Sequence, residues 1–181
     1  MSKIKDTEAF SELISEKAIR KRVEELAEEI NNEFSGQEVV VITVLKGAAP
    51  FAADLVRCLD FPVITEYMIL QSYHLTESTG KVDLVRDMST DLAGKNVLVI
   101  EDIVDTGTTI QYIYNHLDAK KPNKLKLCVL LDNPARRVHE NVSADFVGFI
   151  IPDKFVIGYG LDYNQLYRNL PFIATLNMEV N

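Results

Sequence analysis

Residues 97–109 read Val-Leu-Val-Ile-Glu-Asp-Ile-Val-Asp-Thr-Gly-Thr-Thr, and this segment says most about the fold. Its first four residues are apolar and lead into turn signals, which is typical of a buried strand in a parallel sheet. Carboxylates follow at Glu101, Asp102 and Asp105, and then hydroxyl side chains surround Gly107 at the start of a predicted helix. Such a turn offers backbone N–H groups that bind anions. Acids that accept hydrogen bonds from hydroxyls therefore lie beside an anion site, which suits a sugar phosphate.

The composition is that of one globular domain. The chain has 181 residues, of which 47% are hydrophobic and 25% are charged, and this length can bury a full core. The net charge of −8 argues against broad nucleic-acid binding, which uses a basic surface. The first residues lack the apolar core of a signal peptide, and no apolar run approaches the roughly 20 residues of a membrane helix. We expect a cytoplasmic protein that binds neither nucleic acids nor membranes.

The cysteines and histidines give little sign of chemistry. Cys58 and Cys128 lie among apolar residues, so we predict that both are reduced core residues, with a catalytic thiol or a disulfide as the alternative. The histidines, His74, His116 and His139, have no partner at a recognisable metal-ligand spacing.

Strands and helices alternate along the chain. Runs of β-branched residues predict strands, and apolar residues at helical spacing predict helices. The predicted strands are 38–45, 63–70, 97–100, 124–131, 145–151 and 155–159, and the predicted helices are 15–34, 50–59 and 110–117. This order implies βαβ units and an α/β fold, with a mainly parallel central sheet flanked by helices. Ligands of such sheets bind at the carboxyl ends of the strands.

Residues 71–96 are polar and form too long a connection to be an ordinary loop. Long loops of this kind often act as lids. The alternative is a β-hairpin around Thr79-Gly80, and a hairpin can itself move as a lid. We expect the mobile part at about 71–90.

Segment 97–109 resembles the phosphoribosyl pyrophosphate signature of type I phosphoribosyltransferases. Other stretches resemble the hypoxanthine–guanine branch, namely Val44-Leu45-Lys46-Gly47, Ser72-Tyr73, Ile151 to Tyr163 and Tyr167 to Pro171. The resemblance implies the type I phosphoribosyltransferase fold over a single domain, 1–181. It implies a small hood built from the N-terminal segment and residues of about 140–181. It also implies a Mg²⁺-dependent enzyme of purine salvage, which joins a 6-oxopurine to phosphoribosyl pyrophosphate, and a homodimer or homotetramer.

The resemblance assigns the acids to the phosphoribosyl group. Glu101 and Asp102 would accept hydrogen bonds from the ribose hydroxyls, directly or through Mg²⁺. Asp162 would be a further Mg²⁺-associated carboxylate, with a surface salt bridge as the alternative. Asp105 would be the general acid or base near purine N7, with a helix cap as the alternative. The 5′-phosphate is expected on the turn that consists of Thr106, Gly107, Thr108 and Thr109.

The same resemblance assigns residues to pyrophosphate. Gly47 would let the backbone approach the phosphates, and Lys46 would contact them or act at a subunit interface. Arg168 would be a second cation on this side, with a surface salt bridge as its alternative. Ser72 and Tyr73 would form the tip of the lid, which excludes water when it closes.

Recognition of the base combines two assignments and one departure from the family. Phe155 would stack on the purine, and the Val156 carbonyl would accept the N1 proton that adenine lacks. Relatives usually carry a lysine that donates to the purine 6-oxygen, and Asn133 stands in its place. We predict weaker binding of that oxygen, because a neutral amide replaces a charged donor. Arg136 or Arg137 is a possible substitute, although a solvated basic turn is the simpler interpretation.

Two other functions compete with this one. A transferase with altered base choice, for xanthine, remains open because the residues around the purine 2-position cannot be identified. An RNA-binding regulator of the same fold is the other alternative, but Asp105 and the acidic net charge argue against it.

Asn133→Lys tests the departure. We expect a lower KM for hypoxanthine, because a charged donor makes a hydrogen bond roughly twice as strong as a neutral one. Steady-state kinetics with several purines measure this. Unchanged turnover and base preference would show that the side chain at position 133 does not contact the base.

Overall fold

A computed structural model describes residues 10–72, 82–139 and 141–176. Its elements in chain order are β1 (Phe10–Ile14), α1 (Glu16–Glu33), β2 (Val39–Leu45), α2 (Ala49–Val56), β3 (Val63–Ser72), β4 (Val82–Arg86), β5 (Asn96–Val104), α3 (Thr108–Asp118), β6 (Lys124–Asp132), β7 (Phe146–Ile150), β8 (Val156–Ile157) and β9 (Ile173–Leu176). A 3-10 turn, Pro134–Arg136, follows β6. None of the helices in these ranges combines the length and apolar character needed to cross a membrane.

The main sheet has the strand order β4-β3-β2-β5-β6-β7. All neighbouring strands run parallel except β3 and β4, which are antiparallel. Strand β5 lies between β2 and β6, so its two long edges are paired. The mainly parallel α/β sheet predicted from the sequence is therefore confirmed.

Two apolar cores cover the two faces of this sheet. Val39 and Val41 of β2 belong to the core shared with α1 and α2, whereas Val40 and Ile42 belong to the core shared with α3. This alternation follows from the two-residue period of a strand. Helix α1 begins as predicted, because the Ser15 hydroxyl caps it by accepting a hydrogen bond from the Ala18 N–H.

A second, antiparallel sheet has the order β1-β9-β8 and lies apart from the main one in the pairing scheme. It joins the first described strand to the last, with Phe10 opposite Leu176. A small core that contains Phe10, Ile157, Leu170 and Ala174 packs around it. These strands come from both ends of the chain, as the hood of the resembled family would require, and the division of the chain into hood and core stays a prediction.

The polar segment 71–96 contains the antiparallel pair of β3 and β4, in which Ser72 lies opposite Val82. The hairpin alternative therefore holds for the base of this segment. Its tip, 73–81, which includes the expected turn at Thr79-Gly80, lies outside the described residues. Its proposed role as a lid stays a prediction.

The prediction for the cysteines is half right. Both are free thiols, but Cys58 is exposed after the end of α2, and only Cys128 is in the core. The helix was expected to extend to residue 59 and instead ends at Val56, which leaves Cys58 in a turn at the surface. Burial raises the pKa of the Cys128 thiol far above its ordinary value.

Two glycines allow three chain segments to meet. Gly47 lies in the turn between β2 and α2, where an added Cβ would overlap the Asp102 carboxylate at the end of β5. Gly160, in the loop after β8, has a φ of +104°, and a Cβ there would overlap the Gly47 carbonyl oxygen. Only glycine accommodates both approaches.

Gly47→Ala should lower the free energy of unfolding by about 1–3 kcal/mol, because the new methyl group displaces the Asp102 carboxylate. In an Asp102→Ala background the cost should be smaller, since the nearest remaining atom, the Asp102 Cβ, is 3.4 Å from the built position. Urea unfolding of the four proteins in this double-mutant cycle measures the coupling. An equal cost in both backgrounds would contradict the assigned clash.

Candidate active site

The carboxyl ends of three adjacent parallel strands bring the predicted residues together. Lys46 follows β2, Glu101 and Asp102 are near the end of β5, and Asp105 comes directly after it. Asn133 follows β6, and its backbone N–H donates to the Val104 carbonyl at 2.9 Å. The expected edge of the sheet therefore carries these side chains.

These residues surround one cavity of about 570 Å³. Its wall contains the acids Glu101, Asp102 and Asp105 together with the turn 106–109. The same cavity is also lined by Lys46, Gly47, Asp162 and Arg168. Acids, a hydroxyl-rich turn and cations thus face a single space, as the sequence predicted.

Glu101 and Asp102 form an electrostatically strained pair. Glu101 is buried, and one of its oxygens accepts a hydrogen bond from the Asp102 N–H at 2.9 Å. Burial raises the pKa of Glu101 well above its ordinary value, and the charge of Asp102 adds to this increase. Burial also raises the pKa of Asp102, against the opposing effects of its hydrogen bonds and of the Arg168 charge. Hydroxyl donors or a cation in the cavity would stabilise the ionised pair.

The donor set fits Mg²⁺ that is bound together with phosphates. Across the ranges the structure describes, no three His, Cys, Asp or Glu side chains form a metal cage by themselves. Mg²⁺ is usually held by one or two carboxylates plus substrate phosphates, and these are the hard oxygen ligands it prefers. Glu101, Asp102 and Asp162, which line the cavity, supply carboxylate oxygens of this kind.

The turn after β5 leads into α3, and the Thr106 hydroxyl accepts a hydrogen bond from the N–H of Thr108, the first residue of the helix, at 3.4 Å. Gly107 is the N-cap residue, with a φ of +88°, and it has no side chain to accept from the first-turn N–H groups. The Thr106 and Thr108 hydroxyls lie 3.2 Å apart. The alternative role of Asp105 as the helix cap stays a prediction, and the start of α3 offers backbone N–H groups of the kind that bind an anion.

The loop after β8 contacts two cations that line the cavity, Lys46 and Arg168. Arg168 forms an ion pair with Asp162 at 2.6 Å and donates to the Gly160 carbonyl at 2.7 Å. The salt bridge given as an alternative for these residues is thus present, but it lines the cavity. The exposed Lys46 reaches Gln165 Oε1 at 3.4 Å. Its contact with a ligand or with a second subunit stays a prediction.

Asp105 has partners on both of its carboxylate oxygens. The Asn133 amide donates to Oδ1 at 3.4 Å, and the Arg136 guanidinium lies 3.1 Å from Oδ2.

Arg137 donates to the backbone carbonyls of Asp105 and Val142 and forms an ion pair with Asp132. The interpretation of both arginines as a solvated basic turn is wrong for Arg137, whose side chain is only 12% exposed.

The predicted base-binding residues do not line this cavity. Phe155 is 45% exposed and packs edge-to-face on Tyr163, with ring centroids 5.8 Å apart, so it is not a core residue. Val156 is buried in β8, and Asn133 is also buried. The roles of these three residues in binding a base stay predictions. Ser72 ends β3, and Tyr73 lies outside the described residues.

The contribution of Arg137 was missed. An arginine in a polar turn after a strand is usually solvated, and its acceptors here are backbone carbonyls that leave no mark in the sequence. The one feature of the sequence that indicates a buried Arg137 is Asp132, which lies five positions earlier at the end of β6 and forms an ion pair with it.

Comparisons with known proteins identify the family of the chain. Residues 10–164 match the phosphoribosyl transferase domain family. A hypoxanthine-guanine phosphoribosyltransferase of Staphylococcus aureus is 43% identical over 169 residues, which cover 93% of this chain and 94% of the relative.

Solved structures give the same result. A hypoxanthine-guanine phosphoribosyltransferase from Bacillus anthracis, with a HEPES molecule in its active site, has a TM-score of 0.88 at 46% identity, covering 94% of this chain and 98% of that one. The hypoxanthine phosphoribosyltransferase of Trypanosoma cruzi, in complex with the product IMP, has a TM-score of 0.89 at 39% identity, covering 98% of this chain and 100% of that one. The predicted resemblance and fold class are confirmed, and the chain belongs to the phosphoribosyl transferase family.

Proposed function

We propose that this chain transfers the 5-phosphoribosyl group from phosphoribosyl pyrophosphate to hypoxanthine, and also to guanine, with release of pyrophosphate. The products are IMP and GMP, so the enzyme works in purine salvage. The observation that carries the proposal is the single cavity lined by Glu101, Asp102, Asp105 and the turn 106–109. The named activities of the relatives support the same reaction.

The acids and the turn suit the two ends of a phosphoribosyl group. Glu101 and Asp102 accept hydrogen bonds from the ribose hydroxyls. These hydrogen bonds stabilise the ionised form of the two carboxylates, which burial disfavours. The first turn of α3 binds the 5′-phosphate through backbone N–H groups and the helix dipole. The sugar is thereby held at both ends, which fixes the position of its C1′ atom.

The turn after β2 and the loop after β8 suit pyrophosphate. Gly47 lets the backbone approach the phosphates, and Lys46 and Arg168 supply positive charge beside them. Mg²⁺, held by Asp102, Glu101 or Asp162 together with the phosphates, would neutralise charge that develops on the leaving group. The protein groups on this side are already fixed by the Arg168–Asp162 ion pair before a substrate arrives.

The base approaches from the side of Asp105. Its carboxylate takes the proton from purine N7 as N9 bonds to C1′. Phe155 stacks on the ring and the Val156 backbone accepts the N1 proton, while Ser72 and Tyr73 on the lid keep water out. Three other expectations also stay predictions. They are the cytoplasmic location, the homodimer or homotetramer, and the absence of nucleic-acid and membrane partners.

A panel of purines and uracil, each incubated with phosphoribosyl pyrophosphate and Mg²⁺, tests the proposal. We expect pyrophosphate release with hypoxanthine and guanine and far less with adenine, since a site built for a hydrogen bond rejects a mismatch by about 10⁴-fold. Omission of Mg²⁺ should abolish release. Turnover with xanthine alone would favour the altered base choice, and no release with any base would contradict the transferase.

Asp105→Asn tests the proton transfer. We expect kcat to fall by about 10²–10⁴-fold, the usual contribution of a general acid or base, with little change in the affinity for substrates. Steady-state kinetics give kcat, and calorimetric titration with phosphoribosyl pyrophosphate and Mg²⁺ gives the affinity for that substrate. An equal loss in both would indicate a structural role for this carboxylate.

A further inference from the structure

Arg136 is a cation on the cavity wall whose function the proposed reaction leaves open. It ends the 3-10 turn after β6, and its side chain is 48% exposed. Its Nη1 lies 3.1 Å from Asp105 Oδ2, and its Nε is 3.8 Å from an Asp153 oxygen, beyond hydrogen-bond distance. A guanidinium has five N–H donors, so donors remain for a ligand that enters beside Asp105.

Asn133 lies on the other side of the same carboxylate and is 1% exposed. Its amide N–H donates to Asp105 Oδ1, while its own Oδ1 accepts no hydrogen bond from the residues that the structure describes. It does not line the cavity, whereas Arg136 does. A base that enters the cavity would therefore meet the guanidinium of Arg136, and Asn133 would hold Asp105 from within.

The backbone that carries Arg136 is fixed relative to Asp105. The next residue, Arg137, donates to the Asp105 carbonyl at 3.2 Å and to the Val142 carbonyl at 2.7 Å, and it pairs with the Asp132 carboxylate. The 3-10 turn is closed by the Arg137 N–H, which donates to the Pro134 carbonyl at 3.2 Å. The backbone of Arg136 is therefore held beside Asp105 by the contacts of the residue that follows it.

This pair matches the edge of a 6-oxopurine. N7 and the 6-oxygen are neighbours on one edge of the ring. With the proton on N7, this edge presents a donor beside an acceptor. The wall presents the Asp105 acceptor beside the Arg136 donor, 3.1 Å apart. An adenine ring has an amino donor at position 6, which would face the N–H donors of Arg136.

We propose that Arg136 is a specificity-determining residue, which donates to the purine 6-oxygen while Asp105 accepts the N7 proton. The inference rests on the proposed function and adds the residue that distinguishes an oxygen from an amino group at position 6. Arg136 thus supplies the donor that the sequence assigned to Asn133. A planar guanidinium also suits the plane of the base.

Arg136→Met tests this assignment with full-length protein. We expect the affinity for IMP to fall by about 10- to 100-fold, the range for loss of a good base contact, while the affinity for AMP does not fall. Calorimetric titration with the two nucleotides gives the ratio without turnover. In kinetics, KM for hypoxanthine should rise, and KM for phosphoribosyl pyrophosphate should stay unchanged. Arg136→Lys should recover part of the preference for IMP, because it keeps a charged donor without the planar geometry.

Arg20→Met is the matched control, since Arg20 forms a similar exposed ion pair with Glu16 at 3.0 Å on α1. It should change neither the nucleotide ratio nor the kinetics. A normal IMP-to-AMP ratio in Arg136→Met would overturn the inference while leaving the proposed function intact. A wild-type protein that neither prefers IMP nor converts 6-oxopurines would overturn both. Thermal unfolding of each variant shows that a lost preference does not come from a lost fold.

Discussion

The parallel pairing of β5 with β2 on one side and β6 on the other is the constraint on which the site depends. Because the three strands run in one direction, their carboxyl ends share one edge, and the acids of β5 lie between the turn after β2 and the loop after β6. Residues 39–42 of β2 point alternately into the two apolar cores. This alternation fixes the register of the strand, since a slip by one residue would exchange the two faces. Apolar packing thus sets the geometry of the polar site.

Burial gives that edge its electrostatic character. Two adjacent carboxylates at the end of a central strand are poorly solvated, and their shifted pKa values report this cost. The loop after β8 brings Arg168 close enough to offset part of it, and the Gly47–Gly160 contact lets that loop approach. A site of this kind gains most from ligands that bring hydroxyl donors and a cation, because both stabilise the ionised carboxylates.

Local signals allowed much of this to be predicted. The apolar run of β5 and its hydroxyl-rich turn are contiguous in sequence, and so were readable from it. Strands β1 and β9 were not predicted, because each is short and its partner lies at the other end of the chain. Arg136 and Arg137 look alike in the sequence, yet their side chains are 48% and 12% exposed. Which one is buried depends on backbone acceptors that only the tertiary fold brings near.

The unequal placement of the two cysteines has a practical consequence. Cys58 is exposed at the end of α2, whereas Cys128 is sealed in the core with a thiolate that burial disfavours. Since the chain has no other cysteine, a maleimide dye would attach at a single surface position in the native protein. The turn that carries Cys58 follows α2, whereas Gly47 precedes this helix, so a dye would be attached at the end of α2 away from Gly47 and without any engineered substitution.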